Sequence, residues 1–221
     1  SKVVHTLGLS SAWDQRVLGW VNTLRAASRR GPAAPEAIVS LGTTLHEQRL
    51  IKSAGELEMM AHAGRVSAEA HCRAMRVCQP GMTEYQIAAE IHHSFAMARM
   101  EPAYGTIVGG GANACILHYV ENSAVLADGD LLLIDAGAEY DGYCADITRS
   151  FPVNGRFSGE QRAIYDLVLA AQLASIDAAR VGQRHQDDVH MASVKTLTRG
   201  LVDLGLLTGD VDALIEDEAY K

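Results

Sequence analysis

Residues 131–152, LLLIDAGAEYDGYCADITRSFP, constrain this chain more than any other stretch. Leu131 to Ile134 is an apolar run of strand type, and Tyr143 to Phe151 alternates loosely between apolar and polar residues. Between them lies Asp141-Gly142. Asp and Gly tolerate the positive φ angles of a two-residue type I′ turn, so the pair signals a tight β-hairpin. With that turn, Tyr140 faces Tyr143, Gly137 faces Asp146 and Asp135 faces Thr148. Side chains alternate faces along a strand, so Asp135 and Asp146 share one face of the sheet. As diagonal neighbours their Cβ atoms lie roughly 7–8 Å apart or a little less. Two carboxylates at that reach can both touch a pair of metal ions separated by about 3.5–4 Å. Gly137, opposite Asp146, is expected to leave room for the ion. A slip of one residue would put the aspartates on opposite faces. Asp is depleted in strands. Two of them flanking a hydrophobic hairpin are either metal or catalytic ligands or strand charges turned to solvent, and the residues alone leave both readings open.

Composition narrows the classes around this hairpin. The 221 residues are 48% hydrophobic and 21% charged, an ordinary globular composition with enough chain for a sizeable core. A net charge of −8 argues against a nucleic-acid surface and favours cationic ligands such as metals or free amines. No apolar run approaches the length of a membrane span. The spacings of Cys72, Cys78, Cys115 and Cys144 match no zinc pattern. They are expected as buried free thiols of a reducing compartment. No stretch reads as a signal peptide, so a cytoplasmic location is expected.

Helical signals flank the hairpin. Trp13, Val17, Trp20, Val21 and Leu24 recur at helical spacing, and Arg29-Arg30-Gly31-Pro32 breaks that helix, the basic run being a solvated helix end. Ala37 to Leu41 reads as a short strand. Ser53 with Glu56, Thr83 with Gln86, and Ser158 with Gln161 have capping-box spacing and open three helices. In the first, Leu57, Met60, Ala61, Gly64, Ala68, His71 and Met75 recur at three and four, and the third is expected to bury Ile164, Leu167, Val168, Ala171 and Ile176. A further helix is expected over 187–204. His92 and His93 are adjacent, so their rings diverge by about 100° on a helix and cannot form an i,i+4 metal pair. Gly109-Gly110-Gly111 lacks the Lys-Ser/Thr of a phosphate loop and fits a close-packed turn. Cys115 to Tyr119 reads as an apolar strand with His118 near its end. Helix pairs flanking antiparallel hairpins give an α+β class.

These segments together resemble the Xaa-Pro aminopeptidases, the proline-specific branch of the pita-bread metallopeptidases. The resemblance is carried by Arg49-Leu50-Ile51-Lys52-Ser53, Cys78-Gln79-Pro80-Gly81-Met82, Ile107-Val108-Gly109 and Ile116-Leu117-His118-Tyr119-Val120-Glu121-Asn122. It continues through Asp128-Gly129-Asp130-Leu131, Ile134-Asp135-Ala136-Gly137 and Asp146 to Gly155. It implies a pita-bread (creatinase/aminopeptidase-like) fold built on a curved antiparallel sheet. Residues 1–51 would be the C-terminal tail of an N-terminal creatinase-like domain, and 52–221 the first half of the catalytic domain. The family's five metal ligands are two aspartates, a histidine and two glutamates. Asp135 and Asp146 match the aspartates, and His118 matches a histidine that contacts the substrate. The other three ligands belong to a second half, so the chain is expected to be a fragment, inactive alone, with the missing half carried elsewhere or on a separate chain.

For the complete protein the resemblance implies two divalent ions, typically manganese, an activated water, and a peptide substrate with proline at its second position. A homo-oligomer is also expected. A prolidase-type dipeptidase and a methionine aminopeptidase share the aspartate pair, although the N-terminal tail disfavours the latter. In another class stands a non-catalytic pita-bread module that binds peptides or histones. The presence of both aspartates and His118 argues against it.

Overall fold

The computed structural model describes residues 1–27 and 31–220. Arg29 and Arg30, expected as part of a solvated helix end, lie outside the described residues. The chain divides into two compact units, one of residues 1–62 with 140–143, the other of 63–139 with 144–221.

In the first unit, β1 (Lys2–Val4) pairs with β2 (Ala37–Val39) in parallel, Val3 against Ile38. A parallel pair needs a crossover, and α1 (Ser11–Ala26) lies in it. α1 buries Val17 and Val21, one helical turn apart, while Trp13 and Trp20 stay exposed. α2 (Leu41–Leu50) has no counterpart in the sequence reading. None of its residues is buried, so it carries no apolar period to find, and Ser40 starts it by accepting from the Gly42 N–H at 3.1 Å. α3 (Ala54–Val77) begins in this unit with the expected capping box. Ser53 N–H donates to Glu56 Oε2 at 2.6 Å, and Glu56 N–H to Ser53 Oγ at 3.4 Å. The hairpin tip belongs here too: Tyr143 OH donates to Glu56 Oε1 at 2.8 Å, and His62 meets Tyr140 edge to face at 4.8 Å.

The second unit holds the rest of α3 and α4 (Glu84–Met97), then β3 (Glu101–Pro102), β4 (Ile107–Gly110), β5 (Leu131–Ala136), β8 (Ile147–Pro152) and, apart from Tyr140 and Tyr143 at the tip, β6 (Ala138–Tyr140) and β7 (Tyr143–Cys144). The strands form two antiparallel ladders, β4-β5-β8 and β3-β6-β7. The hairpin runs through both. Its register is the expected one, with Asp135 opposite Thr148 and Leu131 opposite Pro152. Asp141 and Gly142 have φ of +49° and +86°, the left-handed pair a type I′ turn requires. Along β5, Leu132, Ile134 and Ala136 are fully buried with Ile87, Ile91 and Phe95 of α4. Burying each such Leu, Ile or Phe contributes about 1.5–3 kcal/mol. α5 (Gly159–Ala178), α6 (Met191–Asp203) and α7 (Val211–Glu216) follow.

Several expectations give way. Residues 116–119 are not a strand: a 3-10 turn over Gly111–Cys115 leads into an irregular segment. The buried stripe of α3 is Ala63, Val66, Ser67, Ala70, His71 and Ala74, and the larger Leu57, Met60 and Met75 are exposed. Small residues face the core because they let the helix approach it closely. On α5 only Ala171 is buried, with Val168 and Ile176 53% and 62% exposed. That helix meets α6 through Leu167, which would sit 2.2 Å from a Cβ at Gly200. The helix expected over 187–204 is split into a wide π turn, His185–His190, and α6. The four thiols are free but not buried: Cys72, Cys115 and Cys144 are exposed and Cys78 is half-buried. Cys72 follows buried His71 on the next helical position, so it points off the core-facing stripe.

Candidate metal centre

β5 alternates, so the face opposite Leu132 and Ile134 carries Leu131, Leu133 and half-buried Asp135. Asp146 sits in the gap between β7 and β8, diagonally across the hairpin and more exposed. The two carboxylates converge on a third residue. Tyr104 OH donates to Asp135 Oδ1 at 2.5 Å and to Asp146 Oδ1 at 2.9 Å. The carboxylates can therefore be no farther apart than those two bonds laid end to end. The one-face reading of the hairpin holds.

Tyr104 was not singled out from the sequence. It lies 31 and 42 residues from its partners, in a loop between β3 and β4 with no periodicity to mark it. Burial first, then the bonds to Asp135 and Asp146, push its phenol well above the usual tyrosine range. It is a hydroxyl donor at any ordinary pH.

Gly137 has a different task from the one expected of it. A Cβ there would lie 1.7 Å from the Ala145 carbonyl oxygen, so the space over the glycine is filled by backbone rather than left for an ion. Only glycine lets the two arms approach this closely, and Ala145 N–H still reaches the Ala138 carbonyl at 2.9 Å. The ladder is interrupted between β5 and β6 at this point, and Asp146 leaves the interruption aimed at Tyr104.

A cavity of about 380 Å³ opens on the pair, lined by Tyr104, Gly105, Ile107, His118, Val120, Asp135 and Asp146. It brings together the three residues singled out from the sequence. His118 is exposed and adopts a left-handed backbone, φ +55°. The segment carrying it is fastened on both sides. Asn122 accepts from Val108 N–H at 2.8 Å and donates to the Thr106 carbonyl at 2.8 Å. Tyr119 is buried and its hydroxyl donates to Glu84 Oε2 at 2.7 Å. Two convergent carboxylates facing a cavity are a donor set that suits a hard divalent cation. Among the described residues no group of three or more His, Cys, Asp or Glu side chains is placed to hold a metal ion. Of the other histidines, His92 contacts Thr106 Oγ1 at 2.9 Å, and His185 is exposed.

The model of metallopeptidase family M24 matches residues 58–214. The Xaa-Pro aminopeptidase of Escherichia coli is 46% identical over 220 residues, 99% of this chain and 50% of its own length. The structure of Pseudomonas aeruginosa aminopeptidase PepP is 51% identical with a TM-score of 0.92, over 100% of this chain and 50% of that one. A zinc-substituted E. coli aminopeptidase P in complex with product superposes with a TM-score of 0.90 at 46% identity, over 99% of this chain and 50% of that one. The chain thus spans about half the length of the relatives it matches.

Proposed function

The chain belongs to metallopeptidase family M24 and carries the first half of its pita-bread fold, and from that premise we propose that the whole protein is an Xaa-Pro aminopeptidase. It would release the N-terminal residue from peptides with proline at the second position. The observation that carries the reading is the meeting of Asp135 and Asp146 on one tyrosine hydroxyl, in a cavity shared with His118. The identity to Xaa-Pro aminopeptidases supports it.

In this reading Asp135 and Asp146 hold two divalent ions, and their hard carboxylate oxygens favour manganese over metals that prefer sulfur. Such ions, when bound, lower the pKa of a water and polarise a carbonyl. The chain's own residues do the rest of the work on this side of the site. Tyr104 keeps the two carboxylates together by donating to both. His118, at the cavity rim, donates a hydrogen bond to the substrate carbonyl and to the charge that develops on it. Ile107 and Val120 give the cavity an apolar wall, and the acidic pair attracts the substrate's free amine. Four free cysteines accord with a reducing, cytoplasmic setting.

The test uses the full-length protein stripped of metal by chelation. Turnover of an Xaa-Pro tripeptide should return with added Mn²⁺ and be lost in Asp135→Ala. Retained hydrolysis in that variant would overturn the metal assignment. Hydrolysis confined to Xaa-Pro dipeptides would move the reading to a prolidase.

A further inference from the structure

Glu84 is the first residue of α4 and is 0% exposed. Among the described residues the partners of its carboxylate are all N–H and O–H donors, and all four come from residues 110–124. Oε1 accepts from Gly110 N–H and from Asn113 Nδ2, each at 2.9 Å. Oε2 accepts from Tyr119 OH at 2.7 Å and from Ala124 N–H at 2.9 Å. The backbone repeats the connection, since Glu84 N–H donates to the Ala124 carbonyl at 3.0 Å and Thr83 bridges Val125. One buried carboxylate therefore ties together the start, middle and end of the segment that carries His118.

That segment needs such a tie. Beyond the 3-10 turn it has no helix or strand to hold it. His118 and Asn122 sit at φ +55° and +47°, left-handed conformations that cost free energy in non-glycine residues and persist only where the surroundings impose them. Tyr119, next to His118, is held through its hydroxyl by both Glu84 and Asn113. A buried carboxylate used for stability alone is commonly replaceable by apolar side chains. One whose every bond ends on a single functional loop is arranged to fix geometry.

We propose that Glu84 is a positioning residue, which acts through Tyr119 and the 110–124 backbone to present His118 to the cavity. The inference rests on the reading of His118 as a substrate contact. It is tested by a double-mutant cycle in the metal-loaded full-length protein, with kcat/KM for an Xaa-Pro peptide, Mn²⁺ affinity and thermal midpoint all measured. Glu84→Gln should lower kcat/KM by roughly 10- to 100-fold, as a misplaced contact group does, with Mn²⁺ affinity changed less than about 2-fold. In a His118→Ala background the same substitution should cost less than about 2-fold, because the group it positions is gone. Equal losses in both backgrounds would overturn the inference and reduce Glu84 to a support of the fold. If His118→Ala alone leaves kcat/KM unchanged, the role of His118 fails first, and this inference with it. Should Glu84→Gln not fold, Tyr119→Phe removes one of the four bonds and enters the same cycle with the same opposed outcomes.

Discussion

A phenol carries one proton, and Tyr104 shares it between two carboxylates. The shorter bond goes to Asp135, on the rigid ladder, and the longer to Asp146, at the interruption of the hairpin. Tyr104 thereby sets the separation of the pair while remaining a neutral donor. Glu84 is the opposite case, a buried group that stays ionised. Burial raises its pKa, but the bonds from Gly110, Asn113, Tyr119 and Ala124 outweigh burial and hold it below its ordinary value of 4.5. With the folded pKa depressed, its contribution to stability is present in full above 4.5 and is lost as the pH falls through the lowered folded value. Urea denaturation of the protein should therefore show a midpoint that drops on acidification below about pH 4.5. Glu84→Gln should start lower at neutral pH and fall less steeply. Parallel curves for the two proteins would show that this carboxylate is no part of the acid sensitivity.

At the scale of the element, the hairpin shows what a sequence can and cannot disclose. Asp141-Gly142 fixes the turn type, the turn fixes the register, and the register puts Asp135 and Asp146 on one face, all by local rules. Gly137 obeys no local rule. Its reason is the Ala145 carbonyl, which only the folded backbone brings within 1.7 Å of where a Cβ would stand. Gly137→Ala should force the arms apart at the point where Asp146 is aimed. The expected cost is on the order of 3 kcal/mol or more, at the upper end for overpacking because the clash is with backbone. Chemical denaturation of Gly137→Ala against wild type measures it. A loss under about 0.5 kcal/mol, the range of surface substitutions, would mean that the arms separate freely. The 116–119 segment failed as a strand for a related reason. Its apolar residues suggest a ladder, but Tyr119 is captured by Glu84 from 35 residues away, and among the described residues no strand pairs with the segment. Tertiary hydrogen bonds decided what propensity could not.

For the whole molecule, periodicity found the helices more reliably than their faces. Val168 and Ile176 mark an apolar stripe on α5, yet both stay more than half exposed. A stripe in sequence says that a face is apolar, not that its partner lies in the same 221 residues. The same logic governs the proposed metal site. Asp135 and Asp146 were legible because they share one hairpin, and Tyr104 was not, because only the fold brings it to them. Among the described residues no third acidic, histidine or cysteine side chain joins the pair, and the relatives are about twice as long. The 221-residue chain by itself should accordingly bind Mn²⁺ more weakly than about 10⁻⁴ M, as sites with few charged ligands do, and hydrolyse no Xaa-Pro peptide. Metal at ten times such a Kd stabilises the folded state by about 1.4 kcal/mol, or roughly 3–6 °C in Tm for a chain of this size. That shift should disappear in Asp146→Ala. Calorimetry that found micromolar binding by the isolated chain would show that this half completes a metal site from its own residues, and the division of ligands between two halves would have to be abandoned.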